Sequence, residues 1–234
     1  MRLVRRRGGV REAVSVVVGI DASLTSTGLA VLRDGIPVML HSLGHKGSDA
    51  DSYLVRGRRI VSQARAVAQA VETAVPTTVP VDPLETVSPL NPDGRSHFPV
   101  KYVATPIDLA VMEGPSYGSQ YGDQWDRAGL WWGIFSALAA KKVPIAVVSP
   151  KTRAKWATGK DVEGNGNSKK PVVFAAVKDE WTDVRAHIRN DDIADALTIA
   201  AMGALWLGDP LPIQVHKWRV KGLESVAWPE GVRV

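Results

Sequence analysis

Residues 14–31 read VSVVVGIDASLTSTGLAV. The first seven form an almost unbroken β-branched run, the pattern of a strand buried on both faces near the centre of a sheet. Asp21 stops that run, small residues make a turn, and residues 28–32 resume as a second strand. Asp34-Gly35 is a hairpin signal, because this pair accepts the positive φ angles of a tight two-residue turn. Residues 36–40 read as a third strand. The chain therefore opens as a three-stranded antiparallel meander.

Working outward, residues 51–74 carry Leu54, Ile60, Ala64, Val67 and Val71 at helical spacing. Arg56, Arg58, Arg59 and Arg65 make part of this helix basic. Residues 76–99 hold six of the fifteen prolines and read as an inserted loop. A short strand over 107–112 ends at Glu113, and a Gly/Ser/Tyr loop over 114–122 follows. Residues 124–142 read as a helix, 145–148 as a strand, 150–156 as a short helix and 158–168 as a Gly/Asn loop. Residues 170–178 suit a helix with Pro171 in its first turn. Residues 190–207 suit a long helix capped by Asn190 or Asp191. The order describes an α/β fold, a mixed five-stranded sheet (three antiparallel strands, then parallel ones) flanked by helices. Residues 1–12 read as a basic flexible arm, 13–208 as one domain with the proline-rich insert at 76–99, and 209–234 as an irregular C-terminal tail.

The chain has 234 residues and a net charge of +5, with 45% apolar and 23% charged residues, an ordinary globular composition. It has no cysteine, which excludes disulfide scaffolds, thiolate zinc sites and cysteine nucleophiles. The longest uncharged apolar run, 196–207, is shorter than the roughly 20 residues a membrane span needs. Asp21 interrupts the apolar stretch behind Arg5, Arg6 and Arg7, unlike a signal peptide. A soluble cytoplasmic protein with no membrane partner is expected. The charge is unevenly placed. Residues 1–12 hold five Arg and one Glu, and residues 141–190 hold eleven Lys/Arg against five Asp/Glu. Residues 191–209 hold four Asp and no base. Basic charge beside clustered acid suits a surface that holds a polyanion while acids act on it.

Four carboxylates fall at the ends of expected elements: Asp21, Glu113, Asp192 and Asp195. Asp192 and Asp195 are an i,i+3 pair on one helix face. A strand-end acid beside a loop faces the open edge of a sheet, so a helix packed near that edge would bring all four together. Such a cluster is costly unless a cation joins it, and oxygen-only ligands favour Mg²⁺ or Mn²⁺. Two ions about 4 Å apart can activate a water and stabilise the leaving oxygen of a phosphodiester. Taken singly, each acid is also an ordinary turn, surface or helix-capping residue.

Together, the spaced motifs resemble RuvC-type Holliday-junction resolvases of the RNase H-like superfamily. GIDASLTSTGLAV at 19–31 is similar to the family's first two strands, AVMEGP to the segment with its second acid, and DIADALTIA to its D-x-x-D-A-L helix. Ser149-Pro150, Lys155, Thr158-Gly159 and GNGNSKK follow the family's order between those acids. The resemblance spans about 14–207 without 76–99, and a phage-encoded version would suit the arm and size. It implies that Asp21, Glu113, Asp192 and Asp195 are catalytic and hold two Mg²⁺, with Mn²⁺ able to substitute. Asp191 is a rival ligand, sharing a face with Asp195 at i,i+4. The resemblance further implies branched DNA as partner, a homodimer making paired nicks, and hydrolysis leaving a 5′-phosphate and a 3′-hydroxyl. Lys155 and Lys170 match the family's DNA-contacting lysines, with Lys169 an alternative, and Tyr117 is the candidate for stacking on unpaired bases.

Trp125 and Trp132 share a helix face, for which core packing is the first reading and a subunit interface the second. His187 lies near the acids in sequence and reads as a surface residue. Rival functions remain: a fork, flap or general branched-DNA nuclease, an RNA–DNA hybrid hydrolase, and a DNA-binding protein whose acids are structural. ASLTSTG also resembles the phosphate loop of actin-like kinases, but one copy in 234 residues leaves no room for their second lobe.

Overall fold

The computed structural model describes residues 14–74, 76–80, 100–104, 106–115, 124–161 and 166–231. Strands β1 (Val16–Asp21), β2 (Thr27–Arg33) and β3 (Ile36–Leu43) form the expected antiparallel meander. Asp34 and Gly35 both take positive φ, 50° and 79°, as the hairpin signal requires. β6 (Leu109–Glu113) pairs parallel with β1, and β7 (Ile145–Val148) pairs parallel with β6. The sheet order is β3-β2-β1-β6-β7, with the β-branched β1 at its centre. This is the mixed five-stranded arrangement, three antiparallel strands and then parallel ones, expected from the sequence.

Side-chain alternation divides the core into two layers. Val16, Val18, Ile20, Leu29, Val31, Ala110 and Met112 pack against α1 (Tyr53–Thr73) and α2 (Gln124–Ala140). Val17, Ala30, Leu32, Leu109 and Val111 pack against α5 (Asp191–Trp206) on the other face. α5 is buried on every side from Asp192 to Ala204, which explains its apolar run. It lies unusually close to the sheet: a Cβ on Gly19 would stand 2.0 Å from the Ala196 carbonyl oxygen. α3 (Pro150–Thr158) starts at a Ser149 cap, whose Oγ accepts from Thr152 N at 3.1 Å, and ends at Gly159 with φ 74°.

Several details depart from expectation. Residues 76–80 are not loop: β4 (Pro76–Pro80) pairs antiparallel with β5 (Val100–Ala104) in a separate two-stranded sheet. Each strand of a two-stranded ladder has one unpaired edge, and prolines four residues apart fall on the same side. α4 (Gly166–Glu180) begins four residues early, which places Pro171 inside the helix. The segment after residue 209 is ordered, with α6 (Lys217–Gly222), a 3₁₀ turn at Leu223–Ser225 and a bridge from Ala227 to Val147. Its anchor is Arg219, 2% exposed. Arg219 donates to the Gln214 and Trp156 carbonyls, pairs with Glu180, and lies 4.7 Å over the Trp156 ring.

On α2 the core reading of Trp125 and Trp132 fails. Trp125 is 88% exposed and Trp132 59%, whereas Trp131 between them is buried. Residues 1–12, residues 81–99 of the insert and Tyr117 lie outside the described residues. Among the described residues no helix is long and apolar enough to cross a membrane.

Candidate active site

The two-residue period of β1 puts Val17, Gly19 and Asp21 on one face, the face that α5 covers. Leu109, Val111 and Glu113 share that face on β6. Ile20 and Met112 are register partners, so Asp21 and Glu113 end adjacent parallel strands side by side. Gly28 lies opposite Asp21 on β2. A Cβ there would stand 2.0 Å from the Asp192 carbonyl oxygen, so only glycine lets the first turn of α5 reach the strand ends. Asn190 caps that turn, its Oδ1 accepting from Ile193 N at 2.9 Å. The i,i+3 face of the helix then carries Asp192 and Asp195 into the cavity that Asp21 and Glu113 also line. All four expected acids thus meet.

Other side chains hold the cluster in place. The Trp131 indole donates to the Glu113 carbonyl oxygen at 2.8 Å. Gln63 on α1 ties down the turn after Asp21, donating from Nε2 to Ser23 O at 2.7 Å and Thr27 Oγ1 at 2.8 Å.

The acids carry too much negative charge for their burial. Burial, then Glu113 and Asp195, push the Asp21 carboxyl well above the ordinary range. Burial, with Glu113 adding to it, holds Asp195 at about 7 despite the opposing charge of Arg153. Burial and Asp191 raise Asp192. At Asp191 burial is outweighed by Lys170, and the carboxyl is lowered.

Arg153 on α3 is the functional residue that sequence reasoning missed. Its Nε donates to Glu113 Oε2 at 2.7 Å and its Nη2 to Oε1 at 3.3 Å, while Nη1 bonds Asp195 Oδ1. These two carboxylates hold its guanidinium in the charged form against burial. A signal existed: Arg153, Ala154, Trp156 and Ala157 are the buried positions of α3, so a guanidinium stood on an apolar helix face.

Lys170 lies at the site, 2.5 Å from Asp191 and 3.8 Å from Asp192. Asp191 turns to this lysine and does not line the cavity. Lys155 is not brought to the acids: it lies on the exposed side of α3 and pairs with Asp161 at 3.0 Å. Lys169 falls within α4, with its side chain outside the described set. His187 is exposed in a 3₁₀ turn, as expected.

The donor chemistry fits a hard divalent cation: carboxylate oxygens only, with the Asp21, Asp192 and Asp195 carboxyls pushed up by burial and neighbouring negative charge. Among the described residues no three acid or histidine side chains yet close around one point. Arg153 stands between Glu113 and Asp195 instead.

No family model matches the chain, and no curated protein matches it by sequence. Two solved structures are similar in fold. Thermus thermophilus RuvC in complex with a Holliday junction substrate is 18% identical, with 80% of this chain and 90% of that one covered and a TM-score of 0.48. A second Thermus thermophilus RuvC structure is 15% identical, with 85% of this chain and 99% of that one covered and a TM-score of 0.48.

Proposed function

We propose that this chain is a divalent-metal-dependent endodeoxyribonuclease that resolves four-way DNA junctions and related branched DNA by paired nicks. The observation that carries the reading is the meeting of Asp21, Glu113, Asp192 and Asp195 in one cavity beside basic side chains. These four acids would hold two Mg²⁺ ions, or Mn²⁺ in their place. The ions, when bound, activate a water and neutralise charge on the leaving oxygen. Trp131 fixes the Glu113 backbone, Arg153 holds Glu113 and Asp195 together until the ions take its place, and Lys170 at the rim neutralises substrate phosphate. Asp195, raised by burial, must lose its proton to serve as a ligand, so metal affinity should rise with pH. Lys155, Lys169 and Tyr117 stay candidates for contacts to DNA beyond the cavity. The exposed Trp125 and Trp132 face of α2 suits a homodimer, which supplies the two sites that paired nicks require.

The test is cleavage of a mobile four-way junction with each strand end-labelled, by the chain and by Asp21→Asn. Symmetrical, ligatable nicks that need Mg²⁺ or Mn²⁺ and vanish in the variant are expected. Wild-type cleavage by Asp21→Asn would remove Asp21 from the mechanism. Single nicks confined to forks would make the chain a general branched-DNA nuclease.

A further inference from the structure

The cavity that holds the acids, about 710 Å³ in volume, continues across the top of the sheet to the side of α1 and α2. There its lining turns mainly basic, with Lys46 beside Asp49 in the loop before α1, Arg56 and Arg59 on α1, and Arg127 on α2. None of these is used by the acid cluster. We propose that Arg59, Lys46 and Arg127 form a second phosphate site, which grips the DNA strand by a backbone phosphodiester next to the one being cut. The proposal rests on the reading that this cavity takes DNA, and it names where the strand runs.

Arg59 is the centre of the argument. Its side chain is only 10% exposed. Its Nε is buried and has no hydrogen-bond partner among the described residues. The nearby carboxylate is Asp126, with Oδ2 3.7 Å from Nη2, but that same oxygen accepts from Arg56 Nε at 2.7 Å. Among the described residues, Arg59 thus has that single carboxylate contact, on an oxygen it shares with Arg56. A buried cation with incomplete pairing is costly and rare. The loop before α1 lies directly on it as well: a Cβ on Gly47 would stand 1.3 Å from Nη1, so a larger residue there would displace the guanidinium. Its neighbours Lys46 and Ser48 then line the same cavity. Guanidiniums, an ammonium and a hydroxyl together match the oxygens of a phosphodiester. Such a grip also serves the chemistry, since the acid floor repels the phosphate that must approach it.

The test is equilibrium binding of a labelled four-way junction, by fluorescence anisotropy without divalent metal, from about 50 to 300 mM salt. Arg59→Gln, Lys46→Gln and Arg127→Gln are compared with the wild type. The control is Lys141→Gln, which precedes β7 at the opposite end of the sheet and pairs with Glu72. Each lost phosphate contact should make the slope of log K against log salt shallower by about 0.9. That loss is expected for the three variants and not for the control. Lys46 is exposed on its loop, so its variant keeps the test valid if Arg59→Gln unfolds. Wild-type slopes in Lys46→Gln and Arg127→Gln, with junction binding intact, overturn the second site and leave the nuclease reading standing. Failure of the wild type to bind any DNA overturns both.

Discussion

Replacing Arg153 by Met removes the guanidinium while keeping most of the buried stem, and isolates what its charge does. Its charge serves two carboxylates, Glu113 through a two-pronged contact at 2.7 and 3.3 Å and Asp195 through Nη1. The three side chains are 9%, 12% and 3% exposed, so solvent screens the contacts little. Breaking a buried pair by removing one partner costs about 3–5 kcal/mol, because the other charge is left behind. For a chain of this length each kcal/mol moves Tm by about 2–4 °C, so the metal-free variant should melt roughly 6–20 °C lower at pH 8. At pH 5 the stranded carboxyls can take up protons, and the deficit should shrink by half or more. Mg²⁺ should recover more Tm in the variant than in the wild type, since no guanidinium need be displaced from Glu113 and Asp195. The assay is thermal unfolding by circular dichroism at both pH values, with and without the ion. A Tm loss under about 2 °C, or an equal loss at pH 5 and pH 8, would refute the assignment of Arg153 as the counter-charge of the cluster.

Other expectations follow from the same geometry. Asp195, raised from 3.8 to about 7, holds more proton in the folded than in the unfolded chain between those values. Its contribution to stability is present below pH 3.8 and lost as pH rises through 7, so urea midpoints without metal should fall across that window and Mg²⁺ should flatten the fall. Gly28→Val drives a side chain into the Asp192 backbone, and should cost at least about 1–3 kcal/mol in chemical denaturation, with any cleavage activity lost alongside. Arg219→Ala strips a buried cation from Glu180 and two carbonyls, and a loss of about 3–5 kcal/mol with faster proteolysis after residue 209 is expected. Trp125→Glu combined with Trp132→Glu should leave the melting curve nearly unchanged but convert a dimer to a monomer in sedimentation equilibrium; a dimer that persists would move the interface elsewhere.

Where a residue's role depends on local pattern, the chain was legible. The β-branched run before Asp21 identified the central strand, Asp34-Gly35 its hairpin, and the capped apolar stretch over 190–207 the long helix, though not its burial on every side. The four acids were found because strand ends and a helix start are local features, and the sheet then did the rest. Where the role depends on what packs from far away, it was hidden. Arg153 looked like one more base in a basic stretch, because the carboxylates that hold it lie 40 and 42 residues away. Arg219 drew no reading within the expected tail, since Trp156 and Glu180 come to it from α3 and α4. Helix α2 is apolar nearly all round, so its pattern did not say which tryptophans turn inward. Lys155 matched a motif position, yet the buried face of α3 is 153, 154, 156 and 157, which leaves 155 pointing to solvent.

β1 serves two masters at a spacing of two residues. Val16, Val18 and Ile20 fill one layer of the core, while Val17 and Gly19 lead to Asp21 in the other. Removing or adding one residue within 17–20 would therefore do more than shorten or lengthen a strand. It would turn Asp21 toward the apolar side of α1 and α2 and press a β-branched side chain into the backbone of α5 in place of Gly19. The length of this strand is thus under the same constraint as its composition, and natural variation here should take the form of substitutions, with insertions and deletions displaced to the turns at either end.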